Sequence, residues 1–85
     1  MFISVKHNIS NPTEFWSIAE KALPNLPAGV KLHSSYPTAD MATAFCLWET
    51  DSLDSFNKYL EGQTGHVSKN DYYVIEEKFA IGLPK

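Results

Sequence analysis

Short runs in which apolar and polar residues alternate occur at several places along the chain. A period of two residues is typical of a strand with one buried face, so we predict strands over residues 2–7, 30–36, 42–49 and 72–79. The third run is apolar at nearly every position, which favours a central strand covered on both faces. The polar segment 63–69 is predicted to be a loop, and Ile81 and Leu83 in the C-terminal tail are expected to pack against other apolar residues.

Two other stretches carry apolar residues at intervals of three and four, which is the period of an amphipathic helix. The first begins after Asn11, a residue suited to capping free backbone N–H groups, and it ends before Pro24. The second follows a cap at Asp51 or Ser52 and ends near Gly62. Both helices therefore have a predicted beginning and a predicted end.

The resulting order of elements is β-α-β-β-α-β, which is that of the ferredoxin-like fold. In this α+β two-layer sandwich, an antiparallel sheet of four strands carries both helices on one face. A chain of 85 residues has room for one domain only, over residues 1–85. The other face of the sheet needs a cover, which a second copy of the chain could supply.

The side chains of the predicted strands divide between the two faces of this sheet. The more apolar set should contact the helices, and it comprises Ile3, Val5, Val30, Leu32, Phe45 and Leu47. The opposite face then carries a mixture of apolar and polar side chains, namely Phe2, Ser4, Lys6, Lys31, His33, Ser35, Ala44, Cys46 and Trp48. The register of the fourth strand is open, so this face takes either Tyr73 with Ile75 or Tyr72 with Val74.

This mixed face is too apolar to be left in water and too polar to be an ordinary core. Two such sheets packed face to face would enclose a cavity with apolar walls and a few polar groups, as small-molecule pockets have. We therefore predict a homodimer that binds a small molecule in a pocket lined by Ser4, Lys6, His33, Ser35, Cys46, Trp48 and Tyr73. The alternative is a structural dimer in which aromatic side chains fill the cavity.

Charge and cysteine content argue against several other classes of protein. The net charge is -3, and the seven lysines are scattered, so the basic stripe expected of a nucleic-acid binder is missing. No run approaches the roughly 20 apolar residues of a membrane span, and the N-terminal sequence lacks the apolar stretch of a signal peptide. The single cysteine, Cys46, cannot form an intramolecular disulfide. We expect a cytoplasmic protein with no nucleic-acid or membrane partner.

The junction at residues 46–53, where a strand ending at Trp48 leads directly into a capped helix, and the order of elements resemble the dimeric α+β barrel superfamily. Segments 5–7, 32–33 and 70–73 most resemble its small uncharacterised members, and the chain is also similar in length to small nickel-responsive, metal-binding members. The resemblance implies a homodimer with its two sheets packed face to face. It implies no particular reaction, because monooxygenase-like, isomerase-like and dechlorinase-like proteins share the superfamily.

Histidine supplies the candidate chemistry, because its side chain titrates near neutral pH and is a common metal ligand. On the mixed face, His33 could act as the base of a cofactorless monooxygenase- or isomerase-like enzyme, with Lys6 as its partner. The metal-binding alternative suggested by the resemblance would use His7, His33 and Glu49 to hold a divalent transition metal such as nickel. The histidine spacings match no recognised metal motif, and we otherwise predict no cofactor.

A structural role is open for each of these residues as well. Lys6 could extend to solvent at the rim of the sheet, and Glu49 could be an exposed carboxylate. Cys46 could serve as a small buried apolar residue, and Trp48 could belong to the core or to a dimer interface. The sequence alone leaves binding protein, enzyme, metal binder and structural dimer as alternatives.

Overall fold

The computed structural model describes residues 1–84 and contains one sheet flanked by two helices. The elements are β1 (Phe2–Ile9), α1 (Pro12–Ala22), a 3₁₀ turn (Leu23–Asn25), β2 (Val30–Pro37), β3 (Thr43–Thr50), α2 (Leu53–Thr64) and β4 (Ser68–Val74). The strands lie in the order β2-β3-β1-β4, and each neighbouring pair is antiparallel. This arrangement confirms the predicted ferredoxin-like α+β sandwich.

Both helices begin at capped residues. The side chain of Asn11 accepts a hydrogen bond of 3.1 Å from the backbone N–H of Glu14. At the second helix the cap is Ser52 rather than Asp51, because the Ser52 hydroxyl accepts a bond of 3.3 Å from the N–H of Ser55. Each cap satisfies one of the backbone donors that the first turn of a helix leaves free. Neither helix within residues 1–84 is long and apolar enough to cross a membrane.

The predicted position of the fourth strand is wrong. β4 covers Ser68–Val74 rather than 72–79, and the polar segment predicted as a loop supplies its first residues. Pairing with β1 begins at Ile9 and Ser68 and continues through Lys6 and Asp71. The alternation signal fails here because the first two helix-facing positions of β4, Ser68 and Asn70, are polar. Beyond the strand, Ile81 is 99 % exposed, so its expected packing is not found within residues 1–84.

The assignment of faces is right for β1 and wrong for β3. Ile3 and Val5 are fully buried beneath the helices, as expected. They pair across the ladder with Trp48 and Cys46, which therefore share the helix-covered face. Phe45 points to the other face and is 47 % exposed. A strand that is apolar at almost every position gives no sequence signal for which face is inside, so the register alone decides it.

In β2, an irregularity in the ladder changes the face of the residues that follow it. Pairing with β3 shifts by one residue between Leu32 and Ser34, so that His33 occupies a bulge. Leu32 packs against the core as predicted, but Ser35 then lies opposite Cys46 on the helix-covered side. The prediction that Ser35 shares a face with His33 is therefore wrong, because a bulge shifts the alternation.

Candidate functional site

The sheet separates the residues of the predicted pocket into two groups. Ser4, Lys6, His33 and Tyr73 belong to the open face, which carries no helix. The other three, Ser35, Cys46 and Trp48, lie on the face beneath the helices. One chain therefore does not bring the seven residues together. Nor does any hydrogen bond or ion pair within residues 1–84 join Lys6 to His33, whose strands are separated by β3.

On the open face, His33 and Glu49 form a close pair. The Nε2 atom of His33 lies 2.8 Å from Oε1 of Glu49, and the ring of Phe2 lies against the imidazole at 5.5 Å between centroids. The hydrogen bond from His33 lowers the pKa of the Glu49 carboxyl. The pair unites two of the three predicted metal ligands, whereas His7 lies on the opposite face. Residues 1–84 contain no group of three or more potential ligands close enough to hold a metal ion.

A small apolar cavity lies beneath the helices. It has a volume of about 60 Å³ and is partly open to solvent. Its walls come from both helices, the 3₁₀ turn and the first three strands. The lining residues are His7, Phe15, Trp16, Ile18, Ala19, Ala22, Leu23, Leu26, Leu32, Ser35, Cys46, Trp48, Tyr59, Leu60, Gln63 and Thr64. Apolar walls with a few polar groups are characteristic of small-molecule sites.

Two tryptophans in these walls have unused hydrogen-bond donors. The Nε1 atoms of Trp16 and Trp48 are both buried, and neither has a partner within residues 1–84. Trp48 is only 5 % exposed, and its ring packs on Phe56 at 5.3 Å between centroids. An unpaired buried donor costs about 1–3 kcal/mol, so native proteins rarely keep one without a reason. Both nitrogen atoms are enclosed by packed side chains, so neither donor faces the open space of the cavity.

A buried histidine completes the polar lining. His7 is 2 % exposed, and its Nδ1 atom lies 2.6 Å from Oδ1 of Asn70. The Nδ2 group of Asn70 donates to Oε2 of Glu61 at 2.8 Å, and the hydroxyl of Tyr72 donates to the same oxygen at 2.6 Å. The chain of bonds therefore runs from the cavity wall to an exposed carboxylate of α2.

This network fixes which ring nitrogen of His7 carries the proton. The carboxylate of Glu61 can only accept, so the amide nitrogen of Asn70 must face it. The oxygen of Asn70 then faces His7, and Nδ1 of His7 must donate to it. A neutral imidazole with a proton on Nδ1 has a lone pair on Nε2. Nε2 of His7 is therefore a hydrogen-bond acceptor.

The pKa shifts of this region follow from burial. Burial lowers the pKa of His7 below its ordinary value, against the opposing effects of the Asn70 bond and the Glu61 charge. Burial also raises the pKa of the Cys46 thiol and, together with the bond to Glu61, that of the Tyr72 hydroxyl. At neutral pH the cavity wall is therefore lined by neutral His7 and Cys46 side chains.

We predict that the buried His7 makes the protein less stable in mild acid. Because its folded pKa is lowered, the unfolded chain binds a proton first as the pH falls below about 6.5. The free energy of unfolding, measured by urea titration, should therefore decrease from pH 7.5 to pH 5. In His7→Gln, which keeps a donor toward Asn70, this decrease should be smaller. An equal decrease in both proteins would contradict the prediction.

The sequence indicated that His7 is buried, and the metal hypothesis did not take this into account. His7 follows Ile3 and Val5 at the period of two that places a side chain on the buried face of β1. Nothing in the sequence pattern predicted its partners, because Asn70 lies between the predicted loop 63–69 and the predicted strand 72–79, and Glu61 lies on a helix. Comparison with known proteins adds no further assignment, since no family model, no curated protein and no solved structure matches the chain.

Proposed function

We propose that the protein is a homodimer that binds a small molecule in the cavity beneath the helices. The observation that carries this proposal is the apolar, partly open cavity, whose walls come from both helices and three strands and include the buried His7. The proposal keeps the predicted binding of a small molecule. It places the ligand beneath the helices rather than on the open face of the sheet.

A cavity-filling substitution tests this location. Ala22 lines the cavity from α1, so Ala22→Phe should place a ring in the space that a ligand needs. We expect toluene to bind the original protein, as followed by the fluorescence of its two tryptophans, and to bind Ala22→Phe at least tenfold more weakly. Ser17→Phe is the matched control, because Ser17 is exposed on the same helix and does not line the cavity. Equal binding to all three proteins, or no binding to the original, would contradict the proposal.

The homodimer follows from the open face of the sheet. This face exposes Tyr36, Phe45 and Tyr73, three aromatic side chains that form part of one sheet surface. Exposed apolar patches on one face commonly mark interfaces between proteins. A second copy packed sheet to sheet would cover them, as in the dimeric α+β barrel superfamily that the sequence resembles. Membership in that superfamily, and a cytoplasmic location for a chain with one buried free cysteine, remain parts of the proposal.

A second candidate function is a cofactorless enzyme on the open face. The 2.8 Å contact with Glu49 supports it, because a carboxylate can hold an imidazole in one orientation. In the proposed dimer, this pair would lie near the interface between the sheets. Lys6, the predicted partner of His33, occupies the same face two strands away. Of the three predicted metal ligands, only His33 and Glu49 lie together within residues 1–84, so further ligands would have to come from the second copy.

The enzyme candidate predicts base catalysis that depends on His33. With 5-nitrobenzisoxazole, a general probe of positioned bases, His33→Ala should lower the rate of ring opening about 100-fold or more. His66→Ala is the matched control, because His66 makes a similar contact of 3.2 Å with Glu14 away from the open face. A rate that is unchanged in His33→Ala, or equally reduced in both variants, would count against this candidate.

A further inference from the structure

The cavity beneath the helices is lined by side chains that carry no charge at pH 8. Within residues 1–84, no lysine, aspartate or glutamate belongs to its walls. We propose that the cavity takes a small uncharged ligand and that protonation of His7 releases it. This inference rests on the proposed function, because it names the ligand class and the regulation of the same site.

Three titratable side chains belong to the walls, and only that of His7 can change its charge in mild acid. Burial raises the pKa of the Cys46 thiol and of the Tyr59 hydroxyl, so both groups stay neutral there. Burial lowers the pKa of His7 from its ordinary value of 6.5, so the ring is neutral at pH 8. A charged ligand would lose its water and meet no opposite charge in the walls.

A protonated His7 would find little compensating charge in the elements packed around it. The helix-facing positions of β1, β3 and β4 hold no lysine, aspartate or glutamate, and the pKa of the Tyr72 hydroxyl is raised by its burial. From α1, the ring of Phe15 contacts His7 at 5.2 Å between centroids. From α2, Glu61 is connected to His7 only through Asn70. The other charged residues of the two helices are exposed and line no part of the cavity, namely Glu14, Glu20, Lys21, Asp54 and Lys58.

Water in the cavity is therefore what a protonated His7 depends on. Nδ1 already donates to Asn70, so the added proton goes to Nε2, for which residues 1–84 provide no acceptor. The cavity is partly open to solvent, so water can reach its walls. An uncharged ligand that fills the space displaces this water and leaves the charged ring poorly solvated. Occupancy of the cavity and protonation of His7 thus oppose each other.

Binding of the ligand and binding of the proton are thermodynamically linked. An uncharged ligand that prefers the neutral protein lowers the pKa of His7 further, and protonation weakens ligand binding by the same factor. The affinity is then constant above the pKa of the free protein and falls below it, by at most about tenfold per pH unit. Because burial already lowers that pKa, the fall begins below about 6.5.

Toluene and benzoate, titrated at pH 8 and pH 5, test the ligand class and its regulation together. Each probe has one aromatic ring, but benzoate is an anion at both pH values. At pH 8 we expect toluene to bind the original protein about tenfold or more tightly than benzoate. At pH 5 the ratio of toluene to benzoate affinity should fall several-fold, because a positive His7 disfavours the uncharged probe and attracts the anion. Binding is followed by tryptophan fluorescence and checked by calorimetry.

Two variants separate the role of His7 from a general effect of acid. His7→Gln keeps a donor toward Asn70 and cannot be charged, so its affinity ratio should be the same at both pH values. His66→Gln should behave as the original protein does, because His66 is exposed and contacts Glu14 outside the cavity. If His7→Gln fails to fold, the pKa of His7 is measured by NMR in the original protein, and toluene should lower it.

The outcomes distinguish this inference from the proposed function. An affinity ratio that stays constant with pH in the original protein, or changes equally in His7→Gln, would overturn the release by protonation. A pKa of His7 that toluene leaves unaltered would do the same. If toluene binds at pH 8 but benzoate binds more tightly, the uncharged class is wrong and the cavity remains a binding site. Failure of toluene to bind at pH 8 would overturn the proposed function itself.

Discussion

Replacement of Phe56 by alanine is expected to lower the free energy of unfolding by about 3–5 kcal/mol. Phe56 is fully buried, and its ring packs against Trp48 on one side and against Tyr72, edge to face at 6.0 Å, on the other. The substitution would remove the apolar contacts of α2 with the sheet and leave a space that the neighbouring rings can fill only in part. The total free energy of unfolding of a domain of this size is about 5–15 kcal/mol, so the substitution should remove a large part of it.

Urea unfolding of Phe56→Ala and of two comparison variants measures this effect. Phe79→Ala removes the same side chain where it is 85 % exposed, and it should change the free energy of unfolding by no more than about 0.5 kcal/mol. Phe56→Leu keeps much of the side-chain volume and should lose less than the alanine variant, which makes it usable if Phe56→Ala does not fold. If Phe56→Ala lowers the free energy of unfolding by less than about 1 kcal/mol, Phe56 does not fix α2 to the sheet, which would contradict the structure.

The second large effect is expected at the open face, where Phe45→Glu should convert the proposed dimer into a monomer. Phe45 lies on the central strand β3, is 47 % exposed and neighbours the exposed Tyr36 across the ladder. In a two-fold interface, each copy would bring a carboxylate into the buried surface, at a cost of several kcal/mol. A cost of only about 3 kcal/mol already raises the dissociation constant more than 100-fold.

Sedimentation equilibrium over a range of concentrations measures this change. Phe79→Glu is the matched control, because Phe79 is an exposed phenylalanine outside the sheet. We expect the original protein and the control to be dimers and Phe45→Glu to be a monomer of unchanged secondary structure. An original protein that is monomeric at all concentrations would contradict the dimer, but the cavity beneath the helices lies within one chain and would remain.

Capping residues and alternation in the sequence were sufficient to predict the order of elements. Asn11 and Ser52 begin the helices because their side chains satisfy backbone donors, and such local chemistry is visible in a sequence. The faces of β1 were predictable for a similar reason, since Ile3 and Val5 alternate with polar neighbours. The face of β3 was not, because apolar residues occupy both of its sides and only pairing with β1 decides which are buried.

The candidate site could not be predicted in the same way, because it depends on contacts between residues far apart in the chain. The bulge at His33 moved Ser35 beneath the helices, and a sequence pattern does not show a bulge. The partner of His7 lies 63 positions along the chain, on a strand whose polar residues resemble a loop. Lys6 and His33 were expected to converge over one face although their strands are not adjacent, but no hydrogen bond or ion pair joins them within residues 1–84. Long-range packing, rather than local propensity, assembled the cavity.

The two indole N–H groups provide the most direct test of the account's central claim. The chain has only two tryptophans, and both line the cavity, so a nitrogen-15 spectrum should contain two indole signals that report on it. On titration with toluene, both indole signals should shift, because a ligand in the cavity changes the surroundings of both rings. The backbone signals of Tyr36, Phe45 and Tyr73 on the open face should stay in place. Shifts confined to those three residues, with both indole signals unmoved, would contradict a binding site beneath the helices.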